Sequence, residues 1–426
     1  MNINRFFSNS KNLLKLAYPI LIAQLIQNLM GFADTVMAGR VSATDMAAVA
    51  VASSVWLPLI LTISGLVMAL ASIISQLSGA KQFDDVAKAS YQTAWIAVFF
   101  SIIIIILYYI ATPMLIDSIS MEPELKNLMF DYLGYIVWGG PGYCLYLVLR
   151  NYSEGLSFTR PTMIISILGL LINIPANYIF IYGEFGMPAL GGAGCGLATA
   201  IVYWVMFLGM LAYAYYSKHL KQAPLFTKFY WPQWSEIKVI LALGTPIAFS
   251  LLFEVSLFAA VAIILIPFGA NVVASHQIAI NFSGLVFMVP LSLAMAVTIK
   301  VGFEVGNKNL EKAKELCRYS VLELAAGLMF LAALFQFSDA IQVISAGALR
   351  GYKDTKSILY ITFFSYWVVG LSFGLILGLT DWIAPASGPY GFWIGFISGL
   401  TVAAVLLAWR LKVVQNRFDQ QAVLAS

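Results

Sequence analysis

Long apolar runs recur along the whole chain and are separated by short polar stretches. Each run is close to the roughly 20 residues that a helix needs to cross a bilayer. The runs lie near residues 13–38, 46–72, 90–112, 126–149, 161–182, 194–216, 238–267, 272–299, 322–349, 357–379 and 391–413. This pattern predicts an all-α polytopic membrane protein with about eleven visible transmembrane helices.

Basic residues are distributed unevenly between the loops that join these runs. In the first half they occupy every second loop, at Lys81, Lys88, Arg150, Arg160, Lys218, Lys221 and Lys228. The intervening loops are acidic or neutral. Because cytoplasmic loops carry an excess of Lys and Arg, the N-terminus and these basic loops are expected to face the cytoplasm.

The two halves of the chain resemble each other. Pro246 follows Pro19 by 227 positions, and the same spacing relates Gly306 to Gly79. Other pairs keep this spacing without a gap over some sixty positions. The repeat predicts two pseudo-symmetric helix bundles, a recurrent design among transporters that hold substrate between the two repeats.

One sizeable polar break divides the repeats. It contains three lysines and two prolines and lies between the sixth and seventh apolar runs. We therefore predict an N-terminal bundle at 1–217, an inter-bundle linker at 218–235 and a C-terminal bundle at 236–426. Six helices are expected in each bundle.

The second bundle lacks one helix that the repeat requires. The spacing of 227 holds up to Lys308, but Gly351 follows Gly155 by only 196 positions. The difference, about 31 residues, corresponds to one helix and a short loop. We place the loss near 319–323.

The charges independently indicate the same loss. Basic residues cluster at 308–318 and again at 350–356, and only the run at 322–349 separates the clusters. One crossing would put the two clusters on opposite sides, against the positive-inside rule. We expect residues missing from this sequence rather than a natural deletion, because a deletion would leave Asp339 on an inverted or re-entrant segment.

Composition restricts the class of protein further. Hydrophobic residues make up 61% of the 426 residues and charged residues 10%, against about 25% charged residues in soluble proteins. A net charge of +4, carried in short loops, indicates membrane topology rather than nucleic-acid binding. The three cysteines show no metal-ligand spacing. No phosphate-binding loop, HExxH motif or Ser-His-Asp pattern occurs, so we expect neither an enzyme nor a cofactor.

Three carboxylates lie inside the apolar runs: Asp34, Glu254 and Asp339. No basic residue lies within four positions of any of them, so no ion pair on the same helix neutralises them. In an apolar environment each would stay protonated or bind a cation, and either behaviour suits ion coupling. The alternative is a purely structural hydrogen bond. Asp34, roughly 32 Å along the helix from Leu13, could also lie near the far water interface.

Further polar residues could line a cavity in the membrane. Asn173 and Asn177 are four residues apart and share one helix face beside a proline, next to the expected position of the first carboxylate. His276, Gln277 and Asn281 form a similar stripe on the eighth run. Hydrogen bonds between helices, without a transport role, are the alternative for both groups.

Several stretches together carry a family resemblance. They are Asp34 with Met-Ala-Gly at 37–39, Trp-Leu-Pro at 56–58, Phe253 with Glu254, and residues 274–281, 339–342 and 349–354. On these residues the chain resembles the multidrug and toxic compound extrusion (MATE) family, in its NorM-like branch, over nearly its whole length.

The resemblance implies two six-helix bundles in a V shape that export drugs and organic cations in exchange for Na⁺ or H⁺. It implies a Na⁺ site at Glu254 and Asp339 and a proton-linked carboxylate at Asp34. Family members often have a tyrosine where this chain has Phe335, which removes one possible oxygen ligand. A multi-pass monomer in a bacterial inner membrane, in contact with lipid and not with nucleic acid, is expected.

A flippase of lipid-linked precursors, built on a related two-bundle fold, is the alternative function. Such a protein should carry several basic residues inside its membrane segments to hold a pyrophosphate. Lys300 is the only plausible candidate, at a helix end. A receptor-like or structural membrane protein would leave the three carboxylates unexplained.

Overall fold

The computed structural model describes residues 3–118, 122–265, 270–319, 334–380, 382 and 389–424. These residues are almost entirely helical and include no strand. The helices are α1 (Ile3–Gly39), α2 (Ala43–Gly79), α3 (Phe83–Ser118), α4 (Pro123–Gly155), α5 (Arg160–Tyr182), α6 (Ala193–Tyr216), α7 (Trp234–Ile264), α8 (Ala270–Gly306), α9 (Leu310–Tyr319), α10 (Leu334–Gly351), α11 (Thr355–Phe363), α12 (Ser372–Leu379) and α13 (Pro389–Leu424).

Local sequence signals set several helix ends. Ser42 caps α2, because its hydroxyl accepts a hydrogen bond of 2.9 Å from the backbone N–H of Asp45. Pro123 opens α4, at a position where the missing N–H has no helical partner. Gly183 ends α5 in the left-handed region, with φ of 77°, which glycine adopts without steric cost.

Within the described residues, nine helices are long and apolar enough to cross a membrane. Many large apolar side chains on them are exposed, such as Phe99, Ile110 and Val405, each at 60–62%. So much exposed apolar surface is unfavourable for a monomer in water but favourable in contact with lipid. The chain is therefore an all-α, multi-pass membrane protein, as the apolar pattern predicts.

Helix α1 connects the cores of the two halves. Leu13 and Ile20, in its first half, belong to a core cluster with residues of α8, α10 and α13. Its later residues Met30 and Ala38 belong to the core of the first half. Helix α2 packs against both α7 and α8. These four helices form the junction between the halves.

The internal repeat is visible in the backbone of the turns. The turn after α2 places Lys81 at φ 59°, and the turn after α8 places Lys308 at φ 59°. The turn after α4 places Ser157 at φ 69°, and its counterpart Lys353 lies at 62°. The first pair is separated by 227 positions and the second by 196, as in the sequence. The structure confirms the pseudo-symmetry of the halves.

Contacts across the junction obey the same symmetry. A Cβ atom at Gly79 would collide with the carbonyl oxygen of Phe303, and one at Gly306 would collide with that of Gln76. Phe303 follows Gln76 by 227 positions, so the two close approaches are equivalent. Only glycine allows the backbones of α2 and α8 to pack this closely.

The repeat is interrupted where the sequence predicts a missing helix. At the spacing of 227, α9 corresponds to the first turns of α3. At the spacing of 196, α10 corresponds to the second half of α4. The described residues contain no counterpart of 93–137, and residues 320–333 lie outside the described part. The absence of one helix remains a prediction.

The helical stretch from α11 to α12 changes its hydrogen-bonding pattern part of the way along. A π-helical segment, Phe364–Leu371, joins α11 to α12, where the sequence predicts one uninterrupted helix at 357–379. Such wide turns are rare in proteins overall, and those that do occur are often found at functional sites. This one buries Ser365 and Tyr366 in the second half.

Candidate ion-coupling and substrate sites

Asp34 lies on α1 and is bound by three neutral donors. Its Oδ1 accepts hydrogen bonds from Nδ2 of Asn177 at 2.6 Å and from Nδ2 of Asn173 at 3.2 Å. Its Oδ2 accepts one from the hydroxyl of Thr199 at 3.0 Å. The side chain is only 5% exposed. The site therefore holds a carboxylate away from water, and its charged form is stabilised by hydrogen bonds alone.

Three helices supply this site. Asn173 and Asn177 project from one face of α5 because they are four residues apart, and Asn177 also donates to Oδ1 of Asn173 at 3.2 Å. The structure thus brings together Asp34 and both amides, the arrangement expected from the sequence. Thr199 on α6 was not predicted, since one hydroxyl in an apolar helix produces no pattern. Asp34 lies five residues before the end of α1 at Gly39, so its place near the far water interface stays a prediction.

A cavity of about 300 Å³ opens beside Asp34. Aromatic side chains form much of its wall, at Trp56, Tyr132, Tyr143 and Tyr203. Gln27 and Ser53 add neutral polar groups. A single carboxylate among aromatic rings suits a positively charged organic molecule, because the faces of the rings attract cations.

A second cavity, of about 380 Å³, lies between the two halves. Gln24 on α1 donates to the sulfur of Met295 on α8 at 3.3 Å. Asn28 donates to the sulfur of Met288 at 3.5 Å. Methionine side chains adapt to differently shaped ligands, so this wall is suited to varied substrates.

Glu254 on α7 and Asp339 on α10 form the second carboxylate site. Asp339 is 4% exposed, whereas Glu254 is partly buried. The two carboxylates interact electrostatically with each other, and Glu254 also interacts with the guanidinium of Arg350. The structure therefore brings together the pair that the sequence singled out.

Arg350 is a basic group near this pair that the sequence did not indicate. The sequence shows no basic residue within four positions of either carboxylate and so excludes only an ion pair on the same helix. Arg350 is 11 positions after Asp339 on α10 and is 7% exposed. The tertiary arrangement of the second half brings its charge near Glu254. Sequence spacing reveals partners on one helix but not partners across helices.

Tyr366 is a further member of the second site that the sequence did not indicate. The π-helical segment carries it, and it interacts with Glu254, Asp339 and Gln342. The described residues contain no group of three or more His, Cys, Asp or Glu side chains. A Na⁺ ion here would thus need neutral oxygens besides the two carboxylates, and the Tyr366 hydroxyl is one. The side chain of Phe335 lies outside the described part.

His276, Gln277 and Asn281 lie on the backbone of α8. Their side chains fall outside the part of the chain that the structure describes, so their predicted place on a cavity wall stays a prediction.

A buried ion pair in the first half was also missed by the sequence reasoning. Nε of Arg150 lies 2.8 Å from Oε1 of Glu154, one helical turn away, and the two side chains are 7% and 0% exposed. Arg150 lines the cavity between the halves. The i, i+4 spacing on α4 was the signal that could have identified the pair.

Comparison with known proteins gives a consistent result. The MatE family model matches residues 19–179, 246–322 and 319–376. "Multidrug resistance protein MdtK" of Photorhabdus laumondii is 48% identical over 450 aligned residues, which cover 98% of each chain. "Probable multidrug resistance protein NorM" of Idiomarina loihiensis is 49% identical over 440 residues, covering 96% of this chain and 95% of the relative.

Solved structures share the same architecture. The MATE transporter NorM-NG, solved in a complex with a monobody, superposes with a TM-score of 0.79 at 32% identity, covering 96% of this chain and 95% of that one. A MATE crystal structure in a bent conformation superposes at 0.85 with 20% identity, covering 97% of each chain, which shows the shared fold. The chain therefore belongs to the MatE family and has the fold of the MATE transporters.

Proposed function

We propose that this protein is a secondary active multidrug exporter of a bacterial inner membrane, which exchanges organic compounds, often cationic, for Na⁺ or H⁺. Family membership and relatives named as multidrug resistance proteins support the substrate class. The observation that carries the proposal for this chain is Asp34, a buried carboxylate on the wall of an aromatic cavity. The protein acts as a monomeric transporter without catalytic residues.

Substrate selection follows from the two cavities. The aromatic cavity attracts a positive charge through ring faces and through Asp34, each effective in a site shielded from water. The methionine-lined cavity between the halves accepts apolar groups of different shapes. Together they favour cationic, partly aromatic compounds without specifying one molecule.

Protonation of Asp34 would couple the first half to a proton gradient. In its ionised form Asp34 ties α1 to α5 and α6 through three hydrogen bonds. Hydrogen bonds to a charged group contribute about 1.5–3 kcal/mol each. A proton on the carboxyl removes its charge and weakens all three, which frees α1 to change its packing and lowers the attraction for a cationic drug.

The second site would couple the other half to a cation. Glu254 and Asp339 offer two carboxylates, and Tyr366 adds a hydroxyl. The positive charge of Arg350 near Glu254 opposes cation entry. Binding of an ion therefore competes with Arg350 for Glu254 and would shift the position of α7 relative to α10.

The available energy is sufficient for export. One monovalent ion gains about 2.3 kcal/mol from 100 mV and about 1.4 kcal/mol from a tenfold gradient. These terms sustain a gradient of several hundredfold for a neutral drug. With one-for-one exchange of a monovalent drug cation the electrical term cancels, and about tenfold remains.

The test is drug transport in sealed vesicles by the purified natural protein, which we expect to contain the helix missing from this sequence. Ethidium fluorescence is followed under an imposed Na⁺ gradient, an imposed pH gradient, or neither, with protein-free vesicles as the control. We expect ethidium to move against its gradient under at least one ion gradient and to stop when an ionophore dissipates it. Ethidium movement at the same rate with and without either ion gradient would contradict the proposal.

A further inference from the structure

A basic pocket of about 600 Å³, outside both sites described above, lies at one end of the helices. Four basic side chains line it: Lys15 of α1, Arg160 of α5, His219 beyond α6 and Lys300 of α8. They come from both halves of the chain. The pocket therefore collects positive charge at the junction between the repeats.

This charge is not compensated from within the pocket. No acidic side chain is among the described lining residues. Lys15, Arg160 and Lys300 form no salt bridge with another described residue. Glu304 lies near Lys300, but its Oε1 is 2.6 Å from Nζ of Lys312. An anion would complete this arrangement.

The position of the pocket on the helices indicates its depth in the membrane. Lys15 is near the start of the apolar span of α1, Leu13–Gly39. Arg160 begins α5, and Lys300 lies less than two turns before the end of α8. By the positive-inside rule these helix ends face the cytoplasm. Basic pockets between transmembrane helices at this level bind lipid head groups.

The remaining wall of the pocket is apolar. Leu16, Phe158 and Ile165 line its interior, and Ile164 at its edge is 52% exposed. An exposed isoleucine on a transmembrane helix faces hydrocarbon rather than water. The pocket thus pairs basic groups with a rim that opens toward acyl chains.

We propose that this pocket binds the phosphate of an anionic phospholipid from the cytoplasmic leaflet. The head group lies between Arg160 and Lys300, and its acyl chains follow the apolar rim at Ile164. A free phosphate ion would use the charges but leave the rim without a role. Because Lys300 and Arg160 belong to different halves, the bound lipid links the two repeats at their cytoplasmic end.

Native mass spectrometry of the purified chain tests this binding. The protein is titrated with phosphatidylglycerol, with zwitterionic phosphatidylcholine, and with phosphatidylglycerol in the presence of inorganic phosphate. One basic residue near a membrane surface contributes about 1 kcal/mol, or about a fivefold change in affinity. We expect the double substitution Arg160→Gln/Lys300→Gln to weaken phosphatidylglycerol binding by about 25-fold.

Lys228→Gln is the matched control. Lys228 is exposed in the segment between α6 and α7 that also carries His219, but it does not line the pocket. Its binding should equal that of the unmodified chain. Thermal unfolding checks that the double variant is folded; if it is not, Lys15→Gln, at an exposed side chain, should weaken binding about fivefold.

Three outcomes would overturn the proposal. They are equal affinity for both lipids, unchanged phosphatidylglycerol affinity in the folded pocket variant, and displacement of the lipid by an equal concentration of inorganic phosphate. The last would identify a site for free anions. Selective binding of phosphatidylglycerol that falls in the pocket variant and survives inorganic phosphate supports a lipid site.

Discussion

The two halves of the molecule repeat one backbone but place their buried charges differently. In the first half, Asp34 is bound only by neutral amides and a hydroxyl. In the second half, Glu254 and Asp339 interact with each other and Glu254 with an arginine. The candidate coupling site of the first half holds one carboxylate among neutral donors, and that of the second half holds a cluster of mixed sign.

Equivalent positions on α4 and α10 show how this difference arises. Glu154 of the first half corresponds to Arg350 of the second, and Arg150 corresponds to Ala346, at the spacing of 196. Glu154 pairs with Arg150 on its own helix. Arg350 has no partner one turn earlier, and Nη2 of its guanidinium is buried without a hydrogen-bond partner in the described structure. Its charge therefore acts on Glu254.

From this difference we expect different tasks in the two halves. A lone carboxylate among neutral donors changes its contacts when it gains or loses one proton. A cluster of two carboxylates and a guanidinium responds to any cation that competes with the guanidinium. The four predictions below test this division, from the largest expected effect to the smallest.

The largest effect concerns the helix predicted to be missing from the second half. The alignment with the Photorhabdus laumondii relative spans 450 positions against 426 residues here, and the family-model matches meet at 319–322. Both support the prediction. We expect a chain with this helix to restore the equivalence of the halves and to transport, whereas the chain without it should not couple.

Intact-protein mass spectrometry of the natural protein tests the prediction. About 31 further residues add about 3.4 kDa at the mean residue mass of this chain, 46.7 kDa over 426 residues. A mass near 46.7 kDa would contradict missing residues. Vesicle transport by such a chain would also contradict the expectation that the loss abolishes coupling.

Glu254→Gln should have the next largest effect. The neutral amide removes the charge that attracts a coupling cation and the counter-charge of Arg350. We expect drug accumulation driven by Na⁺ or pH to fall to that of protein-free vesicles, while the protein stays folded. Glu311→Gln, at a side chain 92% exposed on α9, is the control and should transport normally. Normal transport by Glu254→Gln would exclude the second site from coupling.

Asp34→Asn should uncouple drug binding from pH. The amide mimics the protonated carboxyl, so the variant should bind a cationic drug weakly and with the same affinity at acidic and neutral pH. The unmodified chain should bind more tightly as pH rises, because the ionised carboxylate attracts the cation. Drug dissociation constants across this pH range provide the measurement.

Asp45→Asn is the matched control for this variant. Asp45 is also a buried carboxylate of the first half, but it binds the N–H of Gly192 at 2.6 Å and does not line the cavity beside Asp34. Its substitution should preserve the pH dependence of binding. If the chain and its Asp34→Asn variant show the same pH dependence, Asp34 has a structural role only.

The smallest effect concerns stability rather than transport. Glu154→Gln leaves Arg150 buried without a counter-charge, which should lower the free energy of unfolding by about 3–5 kcal/mol. Glu236→Gln breaks the partly exposed pair with Lys88 and should cost about 0–1 kcal/mol. Denaturant unfolding in detergent measures both. Equal losses would show that burial does not distinguish the two pairs.

Part of the candidate site could be predicted from the sequence. Asp34, Glu254 and Asp339 are conspicuous because charges are rare in apolar helices. Asn173 and Asn177 are recognisable by their spacing on one face. Thr199, Arg350 and Tyr366 gave no such signal, because each acts on a residue of another helix and no local spacing records that contact.

The sequence by itself determined the order of the apolar segments, the repeat and its interruption, and the three carboxylates. These features depend on transfer into lipid and on periodicity, which are properties of each segment alone. Only the tertiary structure decided which charges are compensated. Electrostatic energy depends on the distance between groups, and the tertiary arrangement of the helices sets that distance. For this reason similar backbones hold an isolated carboxylate in one half and a mixed cluster in the other.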